Sequence, residues 1–435
     1  MQTAEIIEIL SYWNFWSRKL DVGVYRKFYV EELVRQRKLK EASVVLGVRR
    51  SGKSTILLQV LKHLIDSGVP RKNTLYINFE EPSFDAHLNL DFLIKIYQAY
   101  LETFDPQGKI YIVLDEVHQV PQWEKFVRGL YDRNENVKFY LTGSSASLLS
   151  PEFGSVLTGR IYSNEVFPLD FIEFLEFQGK KSLLDSTISK GLSGLRYQFK
   201  RYLKFGGFPQ VVLTKADRDK TQLLKDYYMA IIEKDIVQRY QVRDIKKLRE
   251  FCLNLVTNIA TTFSGYRTEK KLKISQPTAN KFLEYTKDVY LVQEINYFAY
   301  SFARQKVNPT KIYAIDPGLY RAVSFRFSQN LGRIFENMVY LSLRRQQKEV
   351  FYWKNGHEVD FVVRDGTKIS RIINVCWELN EENKQREIDG LKEAMSKFKL
   401  KGAELITMGY PENIMFNGKT IQIKNYLQML AQSSV

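Results

Sequence analysis

At 435 residues the chain is too long for one compact core, so about two to four domains are expected. Hydrophobic residues make up 44% and aromatics 14%, which argues against extensive disorder, and no apolar run reaches the ~18 residues that a bilayer-spanning helix needs. The net charge of +16 suits either a polyanionic partner, such as nucleic acid or an anionic surface, or a lysine-rich surface serving solubility.

The first residues, Met1-Gln2-Thr3-Ala4-Glu5, lack the basic stretch and cleavage site of a secretory signal. Only Cys252 and Cys376 are present, far apart, which gives no disulfide framework and suits a reducing cytoplasm. Ser43-Val44-Val45-Leu46 is a short apolar run that reads as a strand, and Thr55 to Ile65 carries leucine and isoleucine at helical spacing. Between them lies Gly47-Val48-Arg49-Arg50-Ser51-Gly52-Lys53-Ser54-Thr55, with the spacing of a phosphate-binding loop at a helix N-terminus. Its glycines let the backbone curl around an anion, Lys53 supplies a point charge to the terminal phosphates, and Ser54 can hold Mg²⁺. ATP with Mg²⁺ is the expected ligand. Arg49 and Arg50 are weaker candidates, either solvated or facing a neighbouring subunit.

A second strand is expected at Thr74 to Phe79 and a third at Ile110 to Leu114, which runs straight into Asp115-Glu116. Two acids at the carboxyl end of an apolar parallel strand fit a hydrolysing site: Asp115 orients the metal shell and Glu116 polarises the attacking water. Lys138 to Leu141 reads as a further strand, followed by Thr142-Gly143-Ser144-Ser145. Ser144 or Ser145 then either senses the γ-phosphate or caps a helix. Arg160, in Leu157-Thr158-Gly159-Arg160, is a candidate for stabilising phosphate charge in its own subunit or a neighbour's, against a plain surface ion pair.

With these motifs in order, the chain resembles the AAA-superfamily P-loop ATPases of bacteria and archaea whose C-terminal half is a domain of unknown function with a restriction-endonuclease-like fold. The resemblance rests on residues 47 to 54, Leu114 to Val120 with Trp123-Glu124, Leu141 to Ser145, Gly159-Arg160, Phe167-Pro168-Leu169 and Gly206-Gly207-Phe208-Pro209. It implies an additional-strand, catalytic-glutamate P-loop core and supplies no substrate.

From Phe167 to about 330 the pattern is helical: Asp170 to Phe177, Tyr197 to Lys204, Leu223 to Tyr240 and Ile245 to Ala260, broken by Gly206-Gly207-Phe208-Pro209. By the resemblance these helices form a lid; plain helical packing is equally sufficient. A helix over Gln276 to Lys287, N-capped by Ser275, then strands near Leu291 to Phe298 and Lys311 to Ile315, suggest a winged helix. Gln276, Thr278, Asn280 and Lys281 would face a DNA groove, unless the module is a protein contact or a spacer.

Residues 331 to 407 read as helix (Arg333 to Gln347), three strands (Val350 to Trp353, Glu358 to Val363, Ile369 to Trp377), helix (Lys384 to Phe398) and strand (Glu404 to Thr407). This is the core order of restriction-endonuclease-like enzymes, which gather a helix glutamate, a strand aspartate and a Glu-x-Lys pair around Mg²⁺. Glu336 and Asp360 match the first two positions with Glu358 as a nearby extra, but Asn374 and Cys376 stand where Glu and Lys belong. Glu378 does not restore the motif, so a fold kept for binding or assembly is expected in place of an active nuclease. Tyr352, Trp353, Lys354 and His357 are candidate nucleic-acid contacts.

The expected architecture is therefore α/β: a P-loop ATPase domain over 1–166, a helical and winged-helix-like segment over 167–330, and a degenerate nuclease-like domain over 331–435. The expected activity is ATP hydrolysis switching a DNA-associated module, with self-association required if Arg160 serves a neighbour. The alternative is a nucleotide-gated scaffold for a protein partner. No membrane role is expected.

Overall fold

The computed structural model describes residues 1–133, 135–145, 157, 159–185, 192–324 and 331–432. Thr158, and the expected domain boundary at 330, lie outside them. The chain divides into two compact units, residues 1–166 with Asp288–Tyr290, and residues 167–287 with 291–435.

In the first unit, β1 (Ala42–Leu46), β2 (Thr74–Asn78), β3 (Ile110–Asp115), β4 (Val137–Gly143) and β5 (Ile161–Glu165) form an all-parallel sheet in the order β2-β3-β4-β1-β5. β3 is buried along its whole length, as a central parallel strand covered on both faces must be. Its side chains alternate: Ile110, Ile112 and Leu114 join one core with helices Leu90–Phe104 and Trp123–Asp132. Tyr111 and Val113 join the other, with helices Lys27–Arg35 and Lys53–Asp66. β2 is an edge strand, and a short polar clasp covers it. The Asn14 amide accepts from Tyr76 N at 2.7 Å and donates to Tyr76 O at 2.9 Å, while Trp16 Nε1 donates to Thr74 O at 2.8 Å. These bonds satisfy backbone groups that would otherwise be a template for another strand.

The second unit begins with helices. The expected helix over Leu223 to Tyr240 starts earlier, at Asp217, and its second half, Ile231–Gln238, is wound as a π-helix. Then follow helix Ile245–Thr257, β6 (Thr261–Thr262), helix Gly265–Leu272, helix Gln276–Asp288, β7 (Val292–Ile295) and β8 (Lys311–Ala314). These strands make an antiparallel sheet of order β6-β8-β7.

Helix Leu331–Arg345 leads into β9 (Glu349–Lys354), β10 (Glu358–Asp365), β11 (Lys368–Cys376), helix Glu381–Phe398 and β12 (Gly402–Thr407). Two strands beyond the expected unit, β13 (Glu412–Phe416) and β14 (Lys419–Asn425), complete a six-stranded mixed sheet of order β13-β14-β12-β11-β10-β9. The β10–β11 connection turns at Gly366, whose φ of 59° lies in the left-handed region.

The Gly206-Gly207 break is a packing junction. Asp316, fully buried, accepts from Gly207 N (2.7 Å), Gly318 N (2.7 Å) and Leu319 N (3.2 Å). Gly207 O in turn accepts from Leu169 N at 2.7 Å, and a Cβ on Gly207 would run into the Leu169 backbone. Glycine is required there because backbone meets backbone. Burial pushes the Asp316 carboxyl up to about 6, against the pull of the three N–H groups.

Candidate functional site

The loop after β1 curls because three of its residues take positive φ: Gly47 (143°), Arg50 (69°) and Gly52 (96°). Gly47 also passes so close to the Val166 carbonyl that no side chain fits. Lys53 is the first residue of helix Lys53–Asp66 and is buried. Its Nζ donates back to Gly47 O (3.0 Å) and Val48 O (3.2 Å), so the ammonium lies over the concave side of the loop. The Ser51 hydroxyl is buried with no hydrogen-bond partner among the described residues, as befits a loop shaped for a polar ligand.

At the carboxyl ends of the strands the acids are tightly held. Asp115 accepts from the hydroxyls of Thr142, on β4, and Tyr76, on β2. Ser54, the next loop residue after Lys53, also interacts with the Tyr76 phenol and opposes the rise in its pKa. Burial, and then the negative charge of Asp115, hold the Tyr76 phenol well above its ordinary range, keeping it a donor. Two hard oxygen donors, a hydroxyl and a carboxylate, fit Mg²⁺.

Glu116 is buried in a left-handed turn, φ 54°, with its N–H donated to Thr142 Oγ1 at 2.8 Å. A non-glycine residue held in that conformation costs of order 1–3 kcal/mol and persists where a site over-determines it. Burial pushes the Glu116 carboxyl up to about 7; Lys53 opposes this, while Asp115 and Glu80 add to it. His118 Nδ1 lies 3.3 Å from Glu116 Oε2. A carboxyl balanced near neutrality suits a general base.

Ser144 and Ser145 are buried directly after β4, the strand between β1 and β3, and so share the edge with Lys53 and Asp115. Arg49 Nη1 pairs with Glu80 at 3.0 Å. Thr55 follows Ser54 on the same helix. Arg160 is not brought to this edge. Its carbonyl accepts from Ala42 N at 2.8 Å, which puts it at the amino end of β1, and its guanidinium pairs with Asp132 at 3.2 Å. A five-residue strand separates it from the loop by about 16 Å. A role on phosphate in its own subunit does not fit this placement.

Four groups beside the loop and acids carry no role assigned from the sequence, although Thr142 and His118 fall within the motif stretches: Thr142, Tyr76, His118 and Arg26. Arg26 is buried, donates to Ser51 O at 3.0 Å, and stiffens the loop from behind.

The second unit gathers Glu336, from helix Leu331–Arg345, with Glu358 and Asp360 of β10. Between them stands Lys311, the first residue of β8, which sequence reasoning did not single out. Asn374 takes a structural part: its Oδ1 accepts from Asp360 N at 3.2 Å and its Nδ2 donates to Glu387 at 2.9 Å. Cys376 Sγ donates to Glu378 O at 3.0 Å, and burial pushes the thiol up to about 11. Tyr352 and Trp353, expected as nucleic-acid contacts, are buried instead. The Tyr352 hydroxyl donates to Pro309 O at 2.5 Å, and Trp353 packs on Phe398. They are the two buried residues of β9, whose ends Glu349 and Lys354 are exposed.

Comparison with known proteins places these observations. An uncharacterized protein of Methanocaldococcus jannaschii is 36% identical over 402 residues, covering 88% of this chain and 85% of that protein. The chain belongs to the family of this archaeal protein. An uncharacterized protein of Haemophilus influenzae is 29% identical over 406 residues, 91% of this chain and 96% of the relative. A family model described as an AAA domain matches residues 39–175, which hold the phosphate loop and both acids. Two domains of unknown function, DUF8612 and DUF4143, match residues 196–330 and 331–426. Among solved structures, that of Cdc6p from Pyrobaculum aerophilum aligns at a TM-score of 0.31 and 12% identity, over 75% of this chain and 96% of that one, a likeness that carries no argument about activity. Among the described residues no helix is long and apolar enough to cross a membrane.

Proposed function

We propose that the chain is a Mg²⁺-dependent ATPase whose nucleotide state switches a nucleic-acid-binding module in its C-terminal half. The observation that carries the ATPase reading is that the phosphate loop, with Lys53 folded back over it, and the Asp115–Glu116 pair held by Thr142 meet at the carboxyl edge of one parallel sheet. In this reading the loop residues Gly47 to Thr55 cradle the phosphates through backbone N–H groups, and Lys53 exchanges its two carbonyl partners for phosphate oxygens. Ser54 and Asp115 would hold Mg²⁺, which would supply neutralisation of phosphate charge. Glu116 takes a proton from the attacking water, and Ser144 or Ser145 contacts the γ-phosphate. Arg160 acts, if on phosphate, across a subunit boundary, which makes the working form a homo-oligomer.

The nucleic-acid half is supported by the order helix, β6, helix, helix, β7, β8, which is that of a winged helix. Gln276, Asn280 and Lys281 are exposed on the third helix, with Thr278 half-buried. The segment between β7 and β8 exposes Tyr300, Phe302, Arg304 and Lys306, and residues 298–311 contain no acid. The domains would then be 1–166, 167–330 and 331–435. Filter binding with duplex and single-stranded DNA, across salt and with or without ATP, tests this half; retention indifferent to both would remove it. Nuclease-insensitive capture of a protein partner would favour the alternative, a nucleotide-gated scaffold, which the filled carboxylate cluster also supports.

A further inference from the structure

The C-terminal carboxylates stand where a nuclease-like fold would hold a divalent ion, and their surroundings do not fit one. Lys311 Nζ lies 2.7 Å from Glu336 Oε1, 2.8 Å from Glu358 Oε1 and 3.1 Å from Asp360 Oδ1. These are ammonium–carboxylate hydrogen-bond distances, and the three N–H donors of one lysine match the three acceptors. Two further acceptor sites are engaged. Tyr313 donates to Glu336 Oε1 at 2.7 Å, and Val375 N donates to Asp360 Oδ2 at 2.9 Å.

The chemistry of the missing motif agrees. Asn374 is turned to β10 and Glu387, and Cys376 to a backbone carbonyl, so neither replaces the lost carboxylate or ammonium of a nuclease. The Lys311 side chain is only 3% exposed. Burial alone would lower its pKa, but Glu336, Tyr313, Asp360 and Glu358 together raise it well above the ordinary lysine value, so it stays charged. An ammonium so enclosed has no route to act as a base.

We propose that Lys311 is the permanent cation of this cluster, filling from within the chain the place between Glu336, Glu358 and Asp360 that a divalent ion would need. The carboxylates then serve as a fastening. They bind β8 to helix Leu331–Arg345 and to β10, and the module works without a metal of its own. This inference is independent of the nucleic-acid reading.

The test is Mn²⁺ binding to the full chain without nucleotide, read by electron paramagnetic resonance. Mn²⁺ bound by the wild type is expected to be identical in Asp360→Asn; a bound ion lost on that exchange would overturn the proposal. Lys311→Met is expected to gain one Mn²⁺ site that disappears again in Lys311→Met/Asp360→Asn, and to melt at a higher temperature with Mn²⁺ than with chelator. A folded Lys311→Met protein that binds no additional Mn²⁺ would show that the ammonium does not stand in a metal's place. If Lys311→Met does not fold, the wild-type comparison with Asp360→Asn decides alone.

Discussion

Thr142 donates its hydroxyl to Asp115 and accepts the backbone N–H of Glu116, so one β4 side chain fixes two acids on the neighbouring β3 edge. The first bond presents the Asp115 carboxylate to the loop. The second stabilises the left-handed turn at Glu116, without which that carboxylate would point elsewhere. Because β4 pairs directly with β3, the side chain near its carboxyl end reaches both acids.

Thr142→Val keeps the shape and the methyl group and removes the hydroxyl. A hydrogen bond to a charged group contributes about 1.5–3 kcal/mol, which converts to roughly 10- to 100-fold in rate. Turnover of ATP is expected to fall by that amount while ATP affinity, set mostly by the loop, changes much less. Steady-state hydrolysis and nucleotide calorimetry on the same protein check it. An equal loss in both would place Thr142 in binding.

Glu116 gives a pH signature. Its carboxyl is pushed up to about 7 by burial, so in the free enzyme it is protonated below that pH and charged above it. A base must be deprotonated, so kcat/KM for ATP is expected to rise about tenfold per pH unit up to pH ~7 and level off beyond. Glu116→Gln should bind ATP yet lose about 100-fold or more of turnover, and the rising limb with it. A flat profile across neutrality, or unchanged turnover in Glu116→Gln, would put the base on another group.

How much of this was readable beforehand follows from how each contact is built. The phosphate loop is contiguous, and its strand and helix flanks show their periods locally, so Gly47 to Thr55 and Asp115-Glu116 could be placed from sequence. Tyr76, Thr142 and Arg26 act on that same site from other elements, and an isolated Tyr, Thr or Arg carries no mark of its partner. Lys311 was hidden for the same reason: its three carboxylates lie 25 to 49 residues away, and a charge at the start of an apolar strand reads as solvated. Trp353 misled in the opposite sense, because an aromatic beside Lys354 looks like a nucleic-acid contact until the sheet's inner face is known. β14 escaped because Ile421 and Ile423 are its only apolar residues, and β13 because its apolar run, Ile414-Met415-Phe416, is short and does not alternate.

The Gly206-Gly207 junction makes a stability prediction separate from catalysis. Alanine at Gly207 would force its Cβ into the Leu169 backbone and break the bond from Leu169 N. Gly207→Ala is expected to lower unfolding stability by about 3 kcal/mol or more. Gly332→Ala is the contrast: it lies in a helix with open space around the new Cβ, and should be neutral or stabilising by up to ~1 kcal/mol. Urea unfolding of both variants reads the difference, and similar midpoints would mean that the junction yields more easily than its packing suggests.

Arg160 tests whether the enzyme acts as an assembly. It sits at the amino end of β1, paired with Asp132, at the end of the strand opposite the Lys53 loop. If it completes a neighbour's site, Arg160→Ala should bind ATP with near wild-type affinity and hydrolyse it poorly, as should happen on losing a charge that acts only in the transition state. Lys53→Ala should fail at binding itself. Mixed in equal amounts after dissociation, the two inactive proteins place an intact Lys53 beside an intact Arg160 at about a quarter of randomly formed interfaces. Activity should return towards that fraction. A mixture as inactive as its components, in a protein shown by light scattering to exchange subunits, would reduce Arg160 to the ion pair it makes with Asp132.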